Sequence, residues 1–216
     1  MGRGLPLLRR LRKPISWASL SRTNGRFRDV TDLSHPAIQR VIEVAARKGV
    51  ALDIRVFRSS TNTAEETAAT VGAEVGQIVK SLVFVSQRPE GRLIPIICLV
   101  SGRNQVDLPL LAAVAGEVSI RQATVRQARE LTGFSVGGIP PFGHGREVRI
   151  LMDQDLCQYQ WVWASAGIDS TVFRVPPRTL QMLANAVVTP LAVAPWMQRP
   201  NLAARPGLQF EAGSGA

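Results

Sequence analysis

Lysine is nearly missing from this chain. Three lysines, Lys13, Lys48 and Lys80, stand against twenty-three arginines. Wherever a solvated positive charge suffices, arginine is used. Histidine and cysteine are as scarce, with only His35, His144, Cys98 and Cys157. None of them has the spacing of a metal site, which argues against metal catalysis. The cysteines read as reduced core residues of a cytosolic protein, with disulfide pairing as the alternative. No apolar run is long enough to cross a bilayer; Leu93–Val100 is among the longest. A Walker loop and a dinucleotide fingerprint are both absent, so no cofactor is expected.

What remains is a 216-residue chain that is 45% hydrophobic, enough for one sizeable core. Its charge is uneven. Residues 1–28 carry eight cations and no acid, which accounts for most of the net charge of +10. The body is close to neutral, and any nucleic-acid contact there is expected to be local. Residues 1–31 read as a basic extension. Three readings of it stay open: a mitochondrial transit peptide, an arm that meets RNA phosphates, or a disordered extension without a role. The location follows as cytoplasmic, or the mitochondrial matrix if residues 1–28 are a transit peptide. A Pro-, Ala- and Gly-rich tail is expected over 191–216.

Between them, residues 32–190 read as a single mixed α/β domain. A twisted mixed sheet, partly barrel-like and flanked by helices, is expected. Ser34 is a candidate cap for a helix that Gly49 stops. Thr63, Asp107 and Thr124 are candidate caps for three more helices, and a further helix begins near Pro177. Short strands are expected near 52–56, 147–152, 160–164, 171–175 and 185–188. Residues 78–86 and 92–100 are apolar throughout, which predicts two strands of a sheet covered on both faces.

Lys80 interrupts the first of these runs. An ammonium in a buried strand must be paired, must reach water, or must line a cleft. A compact cation with three donors also suits a phosphate or hydroxyl in a tight pocket. A second unusual segment is 133–145, with five glycines and two prolines in thirteen residues. It is either a tight connection or a stiff functional loop. Glycine lets main-chain N–H groups approach a ligand, and proline holds them in place. Such donors can stabilise a developing oxyanion. Within it, Gly133-Phe134-Ser135-Val136-Gly137 matches the nucleophile-elbow pattern. The elbow's strand-turn-helix context is lacking, and His144 precedes Asp153 rather than following it.

Several segments carry a resemblance. They are Thr63–Ala68, Val75–Phe84, Val100–Asp107, Leu131–Phe134 and Gly137–Gly143, with Asp153, Ala166-Gly167 and 171–188 following in order. Over roughly residues 35–190 the chain resembles the YbaK/ProX family of aminoacyl-tRNA editing domains. That family includes the insertion domain of bacterial prolyl-tRNA synthetases. The resemblance implies metal-independent hydrolysis of the ester in mischarged tRNA by a free-standing domain acting in trans. It implies roles for Lys80 and Gly137 in catalysis. Gly138, Ile139, Pro140, Pro141, Ser60, Thr61, Thr63, Ser101 and Gly102 form the implied substrate-binding set. The implied partners are the acceptor end of aminoacyl-tRNA and an aminoacyl-tRNA synthetase. The chain departs from some members at Val172, where they carry aspartate, although Asp169 is close by. The pocket tyrosine of the cysteine-specific branch has no match, since Tyr159 is the only tyrosine. Two further readings stand beside the deacylase: a non-catalytic tRNA-binding module of the same fold, and a serine esterase using Ser135.

Overall fold

In the computed structural model, residues 33–61 and 63–192 are described; the basic extension 1–31 and nearly all of the expected tail lie outside them. Helix α1 (Pro36–Arg47) opens the body. Its cap is His35 rather than Ser34: the His35 ring accepts from the Ala37 N–H at 3.1 Å. Pro36 fixes the first helical φ, so the residue just before it occupies the cap. Strand β1 (Ile54–Val56) follows, then α2 (Ala64–Val71), capped by Thr63 and ended by Gly72 in the left-handed region. Strands β2 (Val79–Gln87) and β3 (Leu93–Ser101) form the long antiparallel pair. Next come α3 (Leu108–Ala115), the two-residue β4 (Arg121–Gln122) and α4 (Val125–Thr132), with Asp107 and Thr124 as caps. The chain then runs through β5 (Arg149–Asp153), β6 (Val162–Ser165), β7 (Thr171–Val175), α5 (Pro177–Ala184) and β8 (Val187–Thr189).

The strands form two sheets. The larger has the order β4-β2-β3-β5-β8 and the smaller β1-β7-β6. An isolated bridge between Ile78 and Trp163 joins them. This corrects the partly barrel-like expectation, because the sheet does not close. Pairings β3-β5 and β5-β8 are parallel, so the chain must cross over between them, and β4 and β8 are the edges of the larger sheet.

The continuous apolarity of β2 and β3 is explained by two cores. Val79, Val83, Ile97 and Leu99 face α1, α5 and the small sheet. Phe84, Ile96, Cys98 and Val100 face α3 through Leu111 and Ala115. Side chains alternate across a strand, so a strand with a core on each side has little room for polar residues. The packed body runs on to Leu191 and Ala192: Leu191 is fully buried, and Ala192 bridges Val106.

Candidate functional site

The first part of β2 has a partner strand on one side only. Strand β3 pairs with it throughout. On the other side, Ile78 bridges to β6 and β4 pairs only Phe84 and Val85. Residues 79–82 therefore border a gap where the two sheets diverge. A cavity of about 290 Å³ fills this gap, lined by Thr61, Thr67, Lys80, Ser81, Gly137 and Ile139 among others.

Lys80 is half-buried, and burial lowers its pKa from the ordinary 10.5, with the Glu65 carboxylate opposing the shift. Its Nζ donates to the Asn104 main-chain carbonyl at 2.5 Å. That carbonyl is held in turn by its own side chain. The Asn104 amide donates to Asp153 at 2.7 Å and to Asp155 at 2.8 Å. Both amide hydrogens are thus committed to carboxylates, and Asp153 is almost fully buried. Burial raises the Asp153 pKa, while the Asn104 bond lowers it. The cation is fixed by an anchored loop rather than by an ion pair. Lys48 behaves similarly, donating to the Met182 and Leu183 carbonyls at the end of α5. Both described lysines are used as compact donors to main-chain oxygen.

The glycine- and proline-rich loop reaches the cavity because its own apolar residues pin it to the core. Phe134, Ile139 and Phe142 are all buried in the main cluster. Between them Gly137 is exposed with φ +90°, a conformation that side chains other than glycine resist. Gly138 presses on the 167–169 turn: a Cβ there would lie 2.6 Å from the Ile168 Cα. Its N–H is used inside the loop, donating to the Ser135 carbonyl at 3.0 Å. The Gly137 and Ile139 N–H groups have no partner among the described residues. Gly137 is therefore the glycine whose donor is open to a ligand. Asp169 is its neighbour, with its Cβ 3.3 Å from where a Gly137 Cβ would lie.

The other expected site residues divide. Thr61 and Thr63 line the cavity, and Thr63 also caps α2 by accepting from the Glu66 N–H. The Thr61 and Thr67 hydroxyls are 2.9 Å apart. Ser60 is exposed and is not part of the lining, and Pro140 and Pro141 are buried and outside it as well. Ser101 donates to the Gly76 carbonyl at 2.8 Å, away from the cavity. Gly102 is needed for close packing, since a Cβ would meet the Val75 carbonyl oxygen at 2.2 Å. Ser81, Thr67 and Ser165 are lining residues that the sequence reading passed over. Ser81 had a signal: it is polar within an apolar strand. Its hydroxyl is buried without a hydrogen-bond partner, in reach of whatever enters the cavity.

Ser135 is outside the lining, and no hydrogen bond joins it to His144 among the described residues. The His144 ring packs edge-on against Phe134 at 5.9 Å. Both its nitrogens are buried without a hydrogen-bond partner, and burial pushes its pKa down to about 4, with the nearby Pro141 main chain opposing the shift. Among the described residues, no group of three or more His, Cys, Asp and Glu side chains could hold a metal ion. No helix among them is long and apolar enough to cross a membrane.

The family model for the aminoacyl-tRNA editing domain matches residues 58–183, which contain the cavity. The chain belongs to the aminoacyl-tRNA editing domain family. The YwhH protein of Bacillus subtilis is 28% identical over 128 residues, 59% of this chain and 78% of that protein. EbsC of Enterococcus faecalis, named as a candidate Cys-tRNA(Pro)/Cys-tRNA(Cys) deacylase, is 26% identical over 123 residues, 57% and 73% of the two chains. A crystal structure described as a candidate trans-editing enzyme for prolyl tRNA synthetase superposes with a TM-score of 0.67. It is 42% identical, covering 74% of this chain and 99% of that one.

Proposed function

We propose that this editing domain hydrolyses the ester between a small amino acid and the terminal adenosine of a mischarged tRNA, acting in trans. The observation that carries this reading is that one cavity is lined by both the Lys80 cation and the open Gly137 N–H. Ester hydrolysis requires a nucleophile, an oriented carbonyl and a stabilised oxyanion. Water attacks the carbonyl carbon, and the adjacent ribose hydroxyl can orient it and relay its proton to the departing ribose oxygen. The Gly137 N–H, held in orientation by a loop pinned to the core at Phe134, Ile139 and Phe142, receives the developing oxyanion. The bond to the ribose oxygen then breaks and releases the amino acid and the tRNA hydroxyl. Lys80 holds the phosphate or ribose by charge-assisted hydrogen bonds. The Ser81, Thr61 and Thr67 hydroxyls surround the acyl end. No protein nucleophile is needed, consistent with Ser135 lying outside the lining.

The cavity is small, and Ala64, Val79 and Ile139 supply apolar wall. This favours a short side chain, although a difference of one methylene is worth only about 1–3 kcal/mol in such a pocket. The test is a deacylation panel of mischarged tRNAs, with tRNA(Pro) first because of the relatives' names. Turnover of at least one member is expected. A protein that binds these tRNAs yet releases amino acid from none is a binding module instead.

A further inference from the structure

Lys80 lines a second cavity. About 260 Å³ in volume, it lies toward the α3 face of the sheet. Lys80 and Leu82 belong to both cavities, so the two adjoin along the start of β2. The Asn104 carbonyl that holds the Lys80 ammonium comes from a residue of the second cavity. The cation therefore marks the passage from one hollow to the other.

The second cavity differs in chemistry from the first. Its walls are Leu82, Phe84, Val106 and Leu108, and the Leu108 side chain is 40% exposed. Its polar contribution includes two side-chain amides, Gln105 and Gln122. Both residues are exposed, and neither amide has a partner among the described residues. Gln122 is directly opposite Phe84 across the β2-β4 pair, so an amide and a ring share one face. An apolar hollow edged by free donors and acceptors suits a nucleobase. Single-stranded RNA ends are recognised in this way, by stacking and by hydrogen bonds to the base edge.

We infer that this second cavity is a nucleobase subsite for the cytidine that precedes the acyl-bearing adenosine at the 3′ end of tRNA. The inference rests on the deacylase reading for the contents of the first cavity. With the acylated adenosine there, the phosphodiester to the preceding nucleotide meets Lys80, and the next base enters the second cavity. Cytosine offers one donor and two acceptors on its pairing edge, which a pair of glutamine amides can satisfy. The subsite would add affinity for RNA ends without reading the rest of the tRNA.

The test uses stable amide-linked analogues, 3′-alanylamino-3′-deoxyadenosine and the same molecule extended to the cytidylyl dinucleotide, titrated calorimetrically into the full-length protein. The wild type is expected to bind the dinucleotide at least about tenfold more tightly. The Gln105→Ala, Gln122→Ala double variant is expected to lose most of that gain and bind the mononucleotide unchanged. Both side chains are exposed, and a matching thermal melt is the folding control. Absence of the gain in the wild type, or its survival in the double variant, overturns the subsite. Deacylation of full tRNA, measured in parallel, tests the reading beneath it. Turnover without a dinucleotide gain sinks the subsite alone, whereas a gain without turnover sinks the deacylase and leaves a nucleotide-binding cleft.

Discussion

The two halves of β2 belong to one continuous strand and have opposite uses. The later half, from Val83 to Gln87, has β3 on one side and β4 on the other at Phe84 and Val85, and its apolar side chains fill both cores. The earlier half, from Val79 to Leu82, has a bare edge and carries Lys80 and the unpartnered Ser81 hydroxyl. The site arises where a strand passes from one sheet's neighbourhood to another's. The glycine-rich loop repeats the division. Val136 and Gly137 face the cavity, while Phe142 and the unprotonated His144 belong to the packing behind it.

Breaking the later half is expected to cost stability and spare chemistry. Leu111→Ala, on α3 against this half of the strand, leaves a hole in the same core and is expected to lower unfolding free energy by about 2–5 kcal/mol. Chemical denaturation checks this, and kcat measured well below the melting temperature is expected to be nearly unchanged. A large fall in kcat would erase the distinction between the halves.

Breaking the earlier half is expected to do the reverse. Lys80→Met is expected to reduce kcat/KM by about a hundredfold or more, as losing an oriented stabilising donor does elsewhere. Its melting temperature is expected to stay level or rise, because the folded state holds the charged amine at a cost that lowers its pKa. A pH profile sharpens the point. The alkaline fall in wild-type activity is expected below pH 10.5, and Glu65→Gln is expected to move it lower still, since Glu65 is the charge that raises the lysine pKa.

His144 tests the buried half of the loop. Its pKa is about 4 in the folded chain against 6.5 for the free side chain. Between those values the unfolded chain binds the extra proton, so stability is lost as pH falls from 6.5 toward 4. The loss amounts to about 3 kcal/mol at most. His144→Phe is expected to flatten that part of the stability curve, and its deacylation at neutral pH is expected to match the wild type. The smallest effect is expected at Ser81. Removing its hydroxyl in Ser81→Ala leaves no protein group unpaired, so the melting temperature is expected to hold, with kcat/KM lower by about tenfold for loss of one substrate hydrogen bond.

Much of the fold was legible because its signals are local. Thr63, Asp107 and Thr124 cap the helices expected of them, since a side-chain oxygen three residues before an N–H closes its own short ring. The double coverage of β2 and β3 was legible in their unbroken apolarity. The short β4 was not, because two polar residues carry no periodicity and pair only through their backbone. The division into two sheets was hidden as well, since strand order depends on crossovers rather than on any one strand's residues.

The candidate site was legible at its unusual residues, Lys80 and Gly137, and less so around them. Ser101 and Gly102 lie in the matched motif yet serve packing, with a hydroxyl tied to Gly76 and a missing Cβ against Val75. Gly138 looks equivalent to Gly137, but its N–H is spent on Ser135. Nothing in the sequence separates two adjacent glycines; a hydrogen bond does.

By itself the sequence determined that a cation would be set into a buried strand and that a stiff loop would follow, because placing lysine among apolar residues and proline after glycine restricts the chain locally. Only the tertiary structure decided that they share one hollow, that Asn104 and Asp153 hold the cation, and that a second hollow opens beside it. Those relations join residues dozens of positions apart, and they exist only once the diverging sheets leave the edge of β2 uncovered.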